Sequence, residues 1–226
     1  MALKYESIVP WGRSYDEYVE MFSLTKADLD RSILCCADGP AGFNSIMAKN
    51  GSKIISVDPL YHFSGKEIEK RIADTYQDVI NRTGQNKDKF LWTKIKNVEK
   101  LGKIRMSAMK EFLGDYEKGK IEKRYIPAEL PVLPFENKQF DLSLCSHFLF
   151  LYTDNLSLEF HRLSIQEMCR VSNEVRIFPL LDINAVTSPY LVKVKDELEE
   201  QGYSVNEVLV NYEFQRGGNR MLKISI

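Results

Sequence analysis

The chain is predicted to be an α/β protein: a doubly wound, mostly parallel seven-stranded sheet with helices on both faces, a C-terminal antiparallel hairpin and a helical insertion after the second strand. Three observations predict it. Short apolar runs of the kind that form strands buried on both faces alternate with helix-period segments along the chain. The string Arg216-Gly217-Gly218-Asn219 is a turn signal between the last two strand-like runs. From 66 to 124, apolar residues recur at helical spacing, so this connection is a helical insertion. At 226 residues, one elaborated domain over 1–226 is expected, with 1–31 as a helical lead-in or lid.

The elements follow in order. Ser14 stands three residues ahead of Glu17 as a capping box, opening a short helix that presents Tyr18, Met21 and Phe22. Apolar strands are expected at 32–36, 53–57, 140–145, 174–180 and 205–212, with a weaker one near 123–126. Gly42 to Lys49 follows the first strand as a helix. In the insertion, Ile68, Ile72, Tyr76 and Val79, then Met109, Phe112, Leu113 and Tyr116, mark helical faces. Leu156, Phe160, Leu163 and Val171 mark one face of a further helix, and 188–201 supplies another. The last strand places Leu222, Ile224 and Ile226 on one face.

Apolar residues make up 44% and charged residues 28% of the chain, close to globular averages, which excludes disorder and collagen-like repeats. The net charge of −1 gives no whole-protein attraction to nucleic acid or acidic membranes. Charge is nevertheless segregated. The 66–124 insertion holds 16 of the 31 Lys and Arg but 10 of the 32 Asp and Glu, a net +6 against −7 elsewhere. A solvated helical face explains this most simply; guidance of an acidic substrate is the sharper reading. None of the four cysteines has metal-knuckle or redox spacing, and the three histidines have no carboxylate pair at ligand spacing, so no metal site is expected. With no secretory signal pattern and no run approaching the roughly 20 apolar residues that span a bilayer, a soluble cytoplasmic protein is expected.

The stretch ILCCADGPAGFN, 33–44, joins an apolar strand to a helix start through small residues that would let a ligand touch backbone. Its Ala37-x-Gly39-x-x-Gly42 spacing is followed by Asp58 at the end of the second strand, where a carboxylate can accept both ribose hydroxyls of an adenosine. A tight turn with a helix-capping Asp would use the same residues. Asp38 lies inside the turn, where it would repel the pyrophosphate of NAD. S-adenosylmethionine carries a sulfonium, an ammonium and one carboxylate, so an acidic turn suits it better.

These strings, with IISVDPLY and LPVLPFENKQFDLSLCSHFLFLY, resemble the ordered motifs of class I S-adenosylmethionine-dependent methyltransferases over most of 32–180. The resemblance implies S-adenosyl-L-methionine as cofactor, held by the turn Ala37, Asp38, Gly39 and Pro40, by Asp58 and Pro59 at the ribose, and by Glu129 and Leu130 at the adenine, with Leu133 or Phe135 also able to border its face. Two positions depart from the family pattern: Cys35 replaces the strand-end acid and Ala37 the first glycine. Alanine keeps such a turn open if its backbone there is conventional, and Asp38 is placed to take over part of the missing carboxylate's role toward the ammonium. Arg13, in the lead-in with Trp11 and Tyr18, is a candidate partner for the cofactor's carboxylate. His147, past the fourth strand on the ligand-facing edge, is the candidate base or substrate contact. His62 and His161 receive no catalytic role.

Ser146-His147-Phe148 follows the fourth strand, not the N/D-P-P-Y run of amino-methylating DNA enzymes, and no RNA-binding module is visible. A small-molecule acceptor is therefore expected. Nucleic acid keeps only the basic insertion in its favour, and no membrane partner is expected. Two other classes stay open: a fold that binds ligand or partner without catalysis, supported by Cys35 and Ala37, and an NAD-dependent oxidoreductase, opposed by Asp38.

Overall fold

The computed structural model describes residues 9–225. The helices α1 (Tyr15–Met21) and α2 (Lys26–Leu29) precede β1 (Ile33–Cys36), α3 (Phe43–Lys49) and β2 (Ile54–Val57). The long helices α4 (Gly65–Gln85) and α5 (Val98–Ile121) then lead to β3 (Tyr125–Ile126) and β4 (Phe140–Ser146). The chain continues through α6 (Leu158–Val171), β5 (Ser172–Phe178), α7 (Leu191–Glu200), β6 (Ser204–Leu209) and β7 (Arg220–Ser225). The seven strands lie in the order β3-β2-β1-β4-β5-β7-β6, parallel except for β7, which runs antiparallel to both neighbours. This is the expected doubly wound sheet with its closing hairpin.

All four β1 residues are buried, because the two-residue period of a strand sends alternate side chains into opposite layers. Leu34 and Cys36 join the core shared with Ile165 and Met168 of α6 and Val194 and Leu198 of α7. Ile33 and Cys35 join the opposite core with Tyr18 and Met21 of α1 and Phe43 and Met47 of α3. A third apolar cluster joins the insertion to the β2–β3 edge through Ile68, Ile72, Met109, Phe112, Tyr116 and Tyr125.

The Ser14–Glu17 capping box is present: Ser14 Oγ accepts from the Glu17 N–H at 3.3 Å, and the Glu17 carboxylate accepts from the Ser14 N–H at 3.0 Å. The insertion is helical in two pieces, and its middle is strapped to the hairpin loop. The Leu91 N–H donates to the Phe214 carbonyl, and the Arg216 N–H to the Lys89 carbonyl, both at 2.8 Å. Strand β5 stops at Phe178, since Pro179 has no N–H for the ladder. Strand β6 ends at Leu209, short of the expected 212.

Two expectations of side-chain placement are corrected. Leu163 is exposed, whereas Val171 is buried and Phe160 packs against the core as expected; α6 also buries His161, Ser164, Ile165, Met168 and Cys169, so the packed face is turned partly away from the one the apolar spacing marked. Arg105, counted among the solvated cations of the insertion, is 1% exposed. Ile226 and the first eight residues of the expected lead-in lie outside the described residues. Among the described residues no helix is long and apolar enough to cross a membrane.

Candidate active site

The turn after β1 is built by backbone conformation and then locked by side chains. Ala37 and Gly39 both lie in the left-handed region, at φ +52° and +55°. The Gly39 N–H donates to Asp58 Oδ2 at 2.9 Å, and the Gly39 carbonyl accepts from the Tyr61 hydroxyl at 2.7 Å. Asp58 Oδ1 accepts from the Leu60 N–H at 2.7 Å. A Cβ placed on Gly39 would meet nothing within 4 Å, so the peptide faces open space instead of protein.

The conventional backbone expected at Ala37 is not what the structure has. An L-residue there costs about 1–2 kcal/mol in the left-handed region, which the Asp58 and Tyr61 clamps on Gly39, two residues on, offset. Ala37→Gly should therefore stabilise the fold by roughly 0.5–1 kcal/mol, after the entropy that glycine adds to the unfolded chain is subtracted. A urea unfolding series that shows a loss of stability would contradict this account of the turn.

Asp38 is buried, 7% exposed, yet borders the cleft. It accepts from the Tyr18 hydroxyl and, at 2.6 Å, from the Ser56 hydroxyl; Ser56 in turn accepts from Asn44 Nδ2 at 2.9 Å. Burial pushes the Asp38 carboxyl up to about 6, the two hydroxyls hold it down in part, and Asp58 adds to the rise. Its charge also helps to raise the buried Cys35 thiol, so this carboxyl reaches toward the position where the resembled motif carries its strand-end acid. Ser56→Ala removes one donor from a buried carboxylate and should cost about 1–3 kcal/mol at neutral pH. Thermal unfolding at pH 8 checks it, and an unchanged midpoint would show that the hydroxyl is not needed.

One cavity of about 800 Å³ borders Arg13, Ala37, Asp38, Gly39, Pro40, Asp58, Pro59, Glu129, Leu130 and His147, whereas Leu133 and Phe135, the other candidates for the adenine face, do not line it and pack into the core instead. Burial raises the Asp58 carboxyl, opposed by its two backbone N–H partners and assisted by Glu129. Glu129 is exposed and Leu130 is buried at the same margin. The lead-in crosses directly over the turn: a Cβ on Gly12 would fall 2.0 Å from the Pro40 carbonyl oxygen, and the Gly42 N–H donates to the Arg13 carbonyl at 3.0 Å. Only glycine fits at that crossing.

At the carboxyl ends of β4 and β5 the same cavity is lined by His147, Phe178, Tyr212, Arg13 and Arg105. His147 Nδ1 lies 2.9 Å from Ser146 Oγ, and its ring meets Phe178 edge-on. Burial, then Arg13 and Arg105, hold the imidazole well below its ordinary value, so it is neutral at pH 7. Glu17 accepts from Arg105 and, at 2.9 Å, from the Tyr212 hydroxyl. Glu17, Arg105 and Tyr212 are not legible as site residues in the sequence, because their contacts span 88 and 195 residues and leave no local signal, and Ser56 is an inconspicuous serine inside an apolar strand. His161 is remote from this chemistry: it is buried, its ring nitrogens facing the Ser157 and Leu149 carbonyls at 2.8 and 3.0 Å.

No protein-family model matches the chain. The uncharacterized protein MJ0045 of Methanocaldococcus jannaschii is 34% identical over 223 residues, covering 98% of both chains. Among solved structures, the PH0226 protein of Pyrococcus horikoshii OT3 covers 93% of this chain and 90% of its own, at 11% identity and a TM-score of 0.50, which shows a shared fold. A magnesium protoporphyrin IX methyltransferase of Synechocystis PCC 6803 with bound SAM covers 93% of this chain and 76% of its own, at 11% identity and a TM-score of 0.48. A putative S-adenosyl-L-methionine-dependent methyltransferase of Methanococcus maripaludis covers 93% and 82%, at 11% identity and 0.47.

Proposed function

From a chain that belongs to the family of MJ0045, and that carries the doubly wound fold and cleft described above, we propose an S-adenosylmethionine-dependent methyltransferase acting on a small molecule. The observation that carries the reading is the pair of carboxylates, Asp38 and Asp58, on either side of a Gly39 peptide with open space above it. That arrangement fits an adenosine ligand bearing positive charge and no phosphate. Asp38, at the place where a pyrophosphate would rest, disfavours a dinucleotide.

When bound, S-adenosylmethionine supplies an electrophilic methyl group on a sulfonium. The chain's residues do the rest. Each Asp58 oxygen has one backbone N–H partner and keeps lone-pair capacity for a ribose hydroxyl. Glu129 and Leu130 would border the adenine, and Asp38 would face the ammonium. The cleft orients the acceptor against the cofactor, which is most of what an in-line methyl displacement asks of a protein. His147, in the tautomer that donates Nδ1–H to Ser146, keeps a lone pair on Nε2 for a proton from the acceptor.

Thermal unfolding with S-adenosylhomocysteine or NADH separates the two cofactor classes. A ligand at a hundred times its Kd stabilises by about 2.7 kcal/mol, which for a chain of this size raises Tm by roughly 5–10 °C. S-adenosylhomocysteine is expected to give this rise and NADH none. The reverse pattern would replace methyl transfer with hydride transfer.

A further inference from the structure

Resting on the methyltransferase reading, we propose that the acceptor is a small carboxylic acid with an apolar body, anchored through its carboxylate by Arg13 and Arg105 at the β4–β5 end of the cleft. Two guanidinium groups face one carboxylate there, Arg105 fully buried and Arg13 half-buried. Arg105, 1% exposed, is paired with Glu17, and its Nε has no partner. Arg13 donates to the Trp11 carbonyl, its Nε is also buried without a partner, and among the described residues it makes no ion pair. The Glu17 charge is thus shared between two cations, and among the described residues one positive charge is left without a counterion. An unpaired buried charge is strongly unfavourable unless a ligand supplies its counterion. A monoanion balances this site, whereas a phosphate monoester, at about −1.5 to −2, would overcharge it.

The cations serve the acceptor side of the cleft. Arg13 acts electrostatically on His147 just past β4, on Tyr152 in the turn that follows, on Tyr212 beyond β6 and on Glu17 and Tyr18 of α1, and is not among the groups that move Asp38 or Asp58 directly. The mutual repulsion of the two guanidiniums, after burial itself, lowers Arg13 to about 10. Around them Phe178, Phe214, Phe148, Leu151 and Ile183 line the cavity, a wall suited to an apolar body and poor for a polar one. Planar guanidinium donors match a carboxylate in two-point fashion.

Calorimetric titrations of benzoate, its neutral isostere benzamide, and phenyl phosphate test this, with and without saturating S-adenosylhomocysteine, on wild-type protein, Arg13→Gln and Arg13→Lys. Benzoate is expected to bind at least ten times more tightly than benzamide and more tightly than phenyl phosphate. Arg13→Gln should lose at least tenfold in benzoate affinity, Arg13→Lys should recover part of it, both should keep S-adenosylhomocysteine affinity, and neither should lower the unfolding midpoint, Arg13→Gln raising it because the unpaired charge is gone. Equal binding of benzamide, no saturation by benzoate, or tighter binding of phenyl phosphate overturns the proposal. So does an Arg13→Gln defect confined to S-adenosylhomocysteine, which would give Arg13 to the cofactor's carboxylate. Failure of the wild-type protein to bind S-adenosylhomocysteine, with benzoate binding intact and Arg13-dependent, would bring down the cofactor reading and leave the carboxylate site standing.

Discussion

Glu17→Ala should destabilise the protein by about 3–5 kcal/mol, the cost of breaking a buried ion pair from one side. Glu17 is 8% exposed and serves three partners at once: Arg105, the Tyr212 hydroxyl and the Ser14 N–H of its own helix cap. Burial alone would raise its carboxyl. Arg105, then Arg13, then the hydrogen bonds outweigh that and hold it at about 2. The sign follows from that depression: the pair's stabilisation is present above the unfolded carboxyl's ordinary range and is lost as pH falls toward 2. Truncation leaves the Arg105 charge buried beside Arg13 with no counterion, so the loss exceeds that of any exposed pair. Glu99→Ala, which breaks the exposed Lys103 pair on α5, is the control, and should cost well under 1 kcal/mol. Urea unfolding at pH 7 measures both. Equal effects would mean that the Arg105 side chain can reach water without Glu17.

Affinity for S-adenosylmethionine should fall as pH drops below about 6, approaching tenfold per unit, and Asp38→Asn should flatten that profile at a weak, pH-independent level. The carboxyl titrates near 6 because burial penalises its ionised form and the Tyr18 and Ser56 hydroxyls only partly restore it. For the protein alone, the ionised form is a stability penalty that is complete above 6 and is relieved as pH falls from 6 toward 3.8. A bound cation has the opposite preference. It requires the charge, so its binding lowers the Asp38 value and releases a proton when measured near pH 6. Calorimetry in two buffers of different ionisation heat reads that proton directly. A pH-independent affinity in the wild-type protein would remove Asp38 from the ammonium.

The fold was legible because its strands are short apolar runs that need no partner to be identified, and because Gly217 sits where a turn requires φ of +78°. The cofactor side of the cleft was legible for a related reason. Gly39 and Asp58 belong to adjacent strand ends, and their spacing along the chain sets their spacing in the fold. What was not legible depends on long-range packing. Nothing local distinguishes Arg105 from the exposed lysines around it, yet the fold buries it against Glu17. Ala37 looks conventional as a residue type, and only the path of the turn puts it at positive φ. Leu163 shows the limit of periodicity: in a helix with apolar residues on two sides, which face is buried is settled by the sheet beneath it.

The central claim is that this cleft holds an adenosyl cofactor through Asp58 and the Gly39 turn. It is tested most directly by titrating S-adenosylhomocysteine into wild-type protein and Asp58→Ala at pH 8, with Asp38 ionised. The account predicts saturable binding to the wild-type protein and a loss of more than about 1.4 kcal/mol, or tenfold, in the variant. No saturation of the wild-type protein, or equal affinity in a folded Asp58→Ala, would contradict it.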